Sequence, residues 1–376
     1  MNLTKNTADS RTENKQRFHG KIAVITSPIA ASEDDFRSAE QLVAKYGPEK
    51  VIHVVWPVNF LADKGQVMSI VSNLAADKEI KTIIFNQAID GTNAAVDKLK
   101  ETRDDVFIAY CLAHEAADEV VKRANLILAI NDAGMGIAMV EQVRKQGAKV
   151  FVHYSFPRHM SIPHLKKRRD LIQQECQKMG IQLVDVTVPD PAGESGFARA
   201  KQFILAQQFI INDVNKLVAK YGDDTAFYCT NCSLQAPLIK AVVECHAIYP
   251  QSCCPSPFHG FPEALGIETN SGQVDLSHVI SGVSRIAAEK NMTDRLSTWP
   301  VSAHTMFTNV GAEYAIKWIN GYVPKNEIND SALEDCMNAY VKEVVGEGVE
   351  VTMESYQENG ATWDNYKMLL MSYLDF

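Results

Sequence analysis

The chain has 376 residues, 46% hydrophobic and 22% charged, a composition and length that fit a globular protein of two domains. A net charge of −9 argues against a nucleic-acid binder, which needs a basic stripe; the one basic run, at 166–169, falls in a predicted helix and reads as a solvated face. No apolar stretch approaches the ~20 residues of a membrane span, and residues 1–20 are mostly polar, without the apolar core of a signal peptide.

Residues 1–20, rich in Asn, Thr, Ser, Glu and Lys, read as a disordered tail. Two locations are compatible with it: extracytoplasmic, with a lipoprotein tether if an export segment has been removed, or cytoplasmic if Met1 is the native start. From Lys21 a strand–helix alternation begins. Strands are predicted at 22–27, 51–56, 81–86, 106–111 and 126–131. Between them lie helices at 32–45, 63–76, 91–102, 115–123 and 136–146, the first capped by Ser32 and stopped by Gly47-Pro48. A second series has strands at 149–154, 182–188 and 225–229, with a further candidate at 247–251, and helices at 164–179, 197–220 and 234–246. The segment 253–262, with three prolines and a glycine, is a rigid loop. Helices follow at 276–289, up to about Asn320 with Gly321 at its C′ position, and at 330–345. Residues 349–353 alternate like a half-exposed strand, and 366–376 closes the chain.

Most strands are continuous apolar runs, which is what burial on both faces requires, so the fold class is α/β with parallel sheets and covering helices. Ligands bind such sheets outside the carboxyl ends of the strands, and candidate residues are sought there. The segment Tyr154-Ser-Phe-Pro-Arg-His159 follows a strand and precedes a helix. It offers an aromatic wall, a hydroxyl and a guanidinium able to hold a carboxylate or phosphate bidentately. Arg158 and His159 together suggest an anionic ligand group. Trp299, between Thr298 and Pro300, suits stacking on a sugar or heterocycle, or packing between domains.

The eight cysteines are spread through a core-forming chain, so they are no disulfide framework. Cys229-Thr-Asn-Cys232 and the pair Cys253-Cys254 lie near neighbouring strand ends. Three uses compete for them. A redox pair needs its first cysteine at a helix start, whereas Cys229 falls in the strand. A zinc site normally shows two C-x-x-C pairs, which are missing, and vicinal cysteines rarely bind one metal together. Pocket lining or buried packing is favoured. His246 and His259 form no recognisable ligand pair. There is no G-x-S-x-G, H-E-x-x-H or P-loop, and Gly134-Met-Gly136 lacks the third glycine of a dinucleotide fingerprint. No enzyme activity, catalytic residue, cofactor or metal is expected.

The element order over residues ~20 to 325 resembles the type I periplasmic-binding-protein fold, shared by solute receptors of ABC importers and by effector domains of lactose-repressor-like regulators. The strings Phe151-Val-His-Tyr-Ser-Phe-Pro-Arg-His-Met160, Thr230-Asn-Cys232, Tyr249-Pro-Gln-Ser-Cys-Cys-Pro-Ser-Pro257 and Thr298-Trp-Pro300 are similar to those of uncharacterised ABC-transporter-associated receptors from anaerobic Gram-positive bacteria. The resemblance implies two Rossmann-like βα lobes joined by a hinge: 21–112 plus about 299–325 as lobe one, and 113–298 plus about 326–376 as lobe two. It implies ligand contacts from Ser27, Pro28, Asn86, Gln87 and His114 in lobe one. In lobe two it implies Tyr154, Ser155, Phe156, Arg158, His159, Asn231, Cys254 and Ser256, with Trp299 near the return crossing. The acidic sugar-binding residues of ribose receptors are not reproduced cleanly, which argues against simple sugars.

The expected function is capture of a small polar or anionic solute between the lobes, as the receptor of an ABC importer. The expected partners are that small-molecule ligand and a transporter permease, with no nucleic acid and no membrane span, and the expected state is a monomer. The alternatives are a ligand-sensing regulator of the same fold without its own DNA-binding domain and, third, a thiol-dependent enzyme.

Overall fold

The computed structural model describes residues 18–29, 32–57, 64–191, 196–269 and 276–376. Residues 1–17 of the expected disordered tail lie outside it. Phe18, the first described residue, is buried edge-on against Tyr46, with ring centroids 5.7 Å apart, so that end of the tail is part of the fold. The chain divides into two compact units. One takes the chain up to Ile130 with Ala303–Glu343 and Glu350–Leu369; the other takes Asn131–Ser302, Val344–Val349 and Leu370–Phe376.

The first unit holds β1 (Lys21–Thr26), β2 (Val51–Val55), β3 (Ile80–Asn86), β4 (Phe107–Cys111) and β5 (Leu126–Ile130). They pair in parallel in the order β2-β1-β3-β4-β5. This is a doubly wound arrangement whose order reverses between β1 and β3, the place where such sheets bind ligands. β4 is buried along its whole length and β1 beyond its first residue, as their unbroken apolar runs require. The helix Glu33–Tyr46 starts where Ser32 caps it, the Ser32 hydroxyl accepting from the Asp35 N–H at 3.4 Å. Three acidic residues in its first turn suit the positive end of the helix.

The second unit opens with Asn131, whose side chain accepts from the Gly134 N–H at 2.8 Å and caps the helix Asp132–Lys145. That helix starts four residues before the sequence prediction. β6 (Val150–Ser155) lies between β7 (Gln182–Thr187) and β8 (Thr225–Cys229), all parallel. The expected strand at 247–251 is reduced to bridges: Ile248 pairs with Ala226, and Tyr249 with Leu296 just before β9 (Ser297–Thr298). Taken with these bridges, the second unit repeats the strand order of the first.

The chain ends in a hairpin, of which the sequence reading expected only a strand at 349–353. β10 (Val351–Glu358) and β11 (Ala361–Met371) are joined by Asn359 and Gly360, both at positive φ, 51° and 80°, as a two-residue hairpin turn requires. β11 runs parallel to β5, so the hairpin extends the first unit's sheet. Its Lys367 is buried and held by Asp330 and the Ser355 hydroxyl, at 2.9 Å each. β12 (Leu374–Asp375) then pairs antiparallel with β9 in the second unit.

The boundaries therefore differ from those expected. Residues 113–130 belong to the first unit because β5 pairs with β4. Residues 326–343 and 350–369 join it too, and 299–302 fall in the second. The helix between β4 and β5 is one turn long, Ala117–Val120, shorter than the 115–123 expected.

Candidate functional site

In the first unit Thr26, Asn86 and Cys111 finish their strands level with one another, so the residues after them open on one edge. Ser27 is buried and Pro28 partly exposed. Asn86 is wholly buried; its Nδ2 donates to the Thr308 hydroxyl at 2.5 Å and to the His304 carbonyl at 3.1 Å. Among the described residues nothing donates to its buried Oδ1. The Asn86–Gln87 peptide is cis. The Gln87 carbonyl accepts from the Trp56 indole at 3.3 Å, and its side chain accepts from His114 Nε2 at 2.8 Å and donates to Asp35 at 3.5 Å. Leu112, at φ 51°, turns the chain toward His114, and burial lowers the His114 pKa.

Asp35 is the centre of this network. It is fully buried, and its carboxylate accepts from His304 Nδ1 at 2.6 Å. The neighbouring Ser38 hydroxyl donates to the Asp35 carbonyl at 2.6 Å and to Thr308 at 3.0 Å. Sequence reasoning passed over Asp35, Ser38 and His304. The acidic first turn of a capped helix looked ordinary, and only folding brings His304 to it.

In the second unit Tyr154 and Cys229 are paired in register, and the following segments again open on one edge. Ser155 is buried, its hydroxyl 3.0 Å from that of Thr230, which also meets His159 Nδ1 at 3.0 Å. Burial, then the Arg158 charge, lowers the His159 pKa. Tyr154 and Phe156 both belong to the hydrophobic core; the Tyr154 hydroxyl donates to Asp213 at 3.2 Å, and the Phe156 ring packs 4.1 Å from that of His159. Arg158 is exposed and already engaged, donating to both Asp190 oxygens at 2.8 and 2.9 Å, a bond that raises its pKa.

Asn231 caps a 3-10 turn at Cys232–Leu234, its side-chain oxygen accepting from the Ser233 N–H at 3.0 Å. The Ser256 hydroxyl is buried and accepts from the Phe258 N–H at 3.2 Å. Trp299 is buried.

The loop after Tyr249 brings further thiols to the same edge. Cys232 Sγ lies 3.3 Å from Cys253 Sγ and 3.8 Å from Cys254 Sγ, and Cys253 Sγ lies 4.0 Å from His259 Nε2. Hydrogen bonds from the Cys253 and Cys254 thiols hold the Cys232 sulfur well below the ordinary thiol range, and those same bonds to Cys232 raise its two partners. Cys229, the other cysteine of the C-x-x-C, is buried at the end of β8, and burial pushes its thiol up to about 12. The sulfurs that meet Cys232 come from the distant loop. Arg168, buried with its guanidinium 5.5 Å over the Tyr228 ring and donating to Asp132 at 2.8 Å, sets a positive charge within reach of Cys253 and Cys254.

A separate groove of about 820 Å³ in the first unit is lined by Lys100, Trp318, Lys325 and Asn365, with Phe107 and Asn125. It lies at the amino ends of β4 and β5, opposite the edge at which doubly wound sheets bind ligands.

Comparison with solved structures bears on the fold. A Clostridium difficile 630 protein, provisionally described as a transcriptional regulator, superposes with a TM-score of 0.84 at 21% identity, covering 96% of this chain and 99% of that one. A sugar ABC transporter from Actinomyces odontolyticus ATCC 17982 superposes at 0.51 with 10% identity, covering 81% and 84%. The fold is the type I periplasmic-binding-protein fold, as the resemblance implied. Among the described residues no helix is long and apolar enough to cross a membrane. Two uncharacterised proteins of Treponema pallidum (strain Nichols) share 30% identity over 178 residues and 32% over 171, each match covering 46% of this chain and, respectively, 80% and 76% of theirs. A family profile described as a protein of unknown function (DUF3798) matches residues 20–297, and over that span, which takes in every strand from β1 to β8, the chain belongs to the DUF3798 family.

Proposed function

We propose that this protein is a solute receptor that binds a small polar molecule through side chains at the carboxyl edges of its two sheets, and that it serves an ABC importer outside the cytoplasm as a monomer. The observation that carries this reading is the clustering of hydrogen-bonding groups at the strand-order reversals. Asn86, Gln87 and His114 gather at one, and Ser155, His159 and Thr230 at the other. The buried Asn86 Oδ1 is an acceptor awaiting a donor, and an unmet buried acceptor of this kind costs about 1–3 kcal/mol, which a ligand N–H or O–H would recover. An anionic ligand group would have to displace Asp190 from Arg158, so neutral polar solutes are favoured over anions. No step of this function needs a bond made or broken.

The test is native mass spectrometry of the purified protein, followed by a thermal-shift screen of nucleosides, sugars and carboxylates. A co-purified small molecule, or a ligand-dependent shift lost in Asn86→Ala, supports the reading. No bound mass and no shift from any class would sink it. The full-length likeness to a protein provisionally described as a transcriptional regulator keeps ligand sensing as a second reading. The charge of −9 makes direct DNA contact by this chain unfavourable, and a gel-shift titration against genomic fragments separates the two.

A further inference from the structure

We propose that Cys232, Cys253 and His259 form a binding site for a thiophilic divalent metal ion such as zinc, with Cys254 beside it. The site is built from the second unit alone and does not depend on the identity, or the existence, of an organic solute.

The three donor atoms all lie within 4.8 Å of one another. Metal–sulfur bonds of about 2.3 Å and metal–nitrogen bonds of about 2.0–2.1 Å, arranged tetrahedrally, set donor edges of about 3.8 Å between sulfurs and about 3.6 Å between sulfur and nitrogen. The separations present are 3.3 Å for Cys232–Cys253, 3.8 Å for Cys232–Cys254 and 4.0 Å for Cys253–His259. Shifts of about half an ångström in the Cys232–Cys253 and Cys253–His259 separations, and of at most about 1.2 Å between Cys232 and His259, would therefore complete the set. Two thiolates and an imidazole are a ligand set that zinc uses when it keeps a fourth position for water, a substrate or another ligand. Cys254 lies beside Cys232, at 3.8 Å, and outside the set of three.

The donors are held by the fold. Cys232 begins a capped 3-10 turn that runs into the helix Gln235–Glu244. Gln251 and Ser252 are fully buried, and the Ser252 hydroxyl donates to the Cys254 carbonyl at 3.0 Å. The His259 N–H donates to the Ser256 carbonyl at 3.0 Å. Gly260 follows at φ 88°, and a Cβ there would stand 2.9 Å from that of Gln235, so the loop sits tightly against that helix. Cys232 is exposed and His259 partly so, which leaves the ion a path from solvent. Arg168 offsets part of the negative charge that two or three thiolates would gather.

The experiment is an anaerobic titration of the reduced, metal-free full chain with cobalt(II), followed by zinc(II). One equivalent of cobalt should give thiolate-to-metal charge-transfer absorption in the near ultraviolet with the intense visible bands of a tetrahedral ion, and zinc should bleach both. Cys232→Ser and Cys253→Ser should each lose the absorption, and Cys245→Ser should keep it. Because Cys253→Ser could fail to fold, the unaltered chain is also alkylated with and without zinc and mapped by peptide mass. Zinc should protect Cys232 and leave Cys245 reacting as before. No charge-transfer absorption in the unaltered chain, full absorption in both serine variants, or equal alkylation of Cys232 with and without zinc would each overturn the proposal.

Discussion

In the first unit the edge where the strand order reverses gathers Asp35, Gln87, His114 and His304; in the second it gathers Cys232, Cys253, Cys254 and His259. The loops come from corresponding strands, since the second unit repeats the order of the first. Even the cysteines that end β4 and β8, Cys111 and Cys229, are alike: both are buried and both have raised pKa values from desolvation. Yet one edge is a buried carboxylate network of oxygen and nitrogen, and the other is a sulfur cluster open to solvent. Topology fixes where functional groups are displayed, and only the few residues after each strand decide which chemistry is displayed there.

The largest contrast should be in thiol reactivity. In reduced, metal-free protein at neutral pH, Cys232 should alkylate orders of magnitude faster than Cys111 or Cys229, because it is exposed and ionised while they are buried and protonated. Timed alkylation with peptide mapping measures this, and comparable rates would erase the distinction between the edges. Next is stability. Asp35→Ala removes a fully buried carboxylate that accepts from half-buried His304 and Gln87, and should cost about 3 kcal/mol by urea unfolding. Cys232→Ser, at an exposed thiol, should cost less than about 1 kcal/mol. Near-equal losses would mean that Asp35 is not the keystone it looks.

A smaller effect should follow pH. Burial lowers the pKa of His153, against the opposing bond from Asp185, and lowers that of His159. A histidine depressed on folding stabilises the protein fully above its unfolded value, 6.5, and that contribution is lost as pH falls through the folded value. The melting temperature should therefore drop from pH 7.5 to 5, and His153→Gln should flatten the drop. Asp185 works over a lower range: burial alone would raise it, but bonds from His153 and Arg169 hold it well below the usual carboxylate range. The smallest effect should be Arg158→Ala. Its exposed pair with Asp190 should be worth under about 1 kcal/mol to folding, while affinity for a carboxylate found in the screen should fall. Unchanged affinity by calorimetry would remove Arg158 from the site.

The fold was legible where local physics is strong. Ser32 as N-cap, Gly47 as helix stop, and the buried runs of β1, β4, β6 and β8 all stand where periodicity and capping predict. The first strand of the terminal hairpin shows in the alternation at 349–353, and the turn carries its own signal in Asn359-Gly360, while its second strand is polar and aromatic rather than apolar over its first half. The division that the resemblance implied after residue 112 falls instead after Ile130, because β5 pairs with β4. Ser155, His159, Asn86, Gln87 and His114 do reach the strand ends. Tyr154 and Phe156 instead pack into the core, since alternation along β6 and its exit turns both rings inward.

The sequence alone determined the class of fold and the edge at which ligand binding is proposed, because buried strands and capped helices are written in short-range patterns and the βα rule then gives the side. Tertiary structure alone decided which groups meet there. Asp35 and His304 are 269 residues apart, Arg158 and Asp190 are 32 apart, and Cys232 and Cys253 are 21 apart. No local pattern encodes such pairs, because their proximity depends on the register of strands and the path of loops, which form only when the whole core is packed.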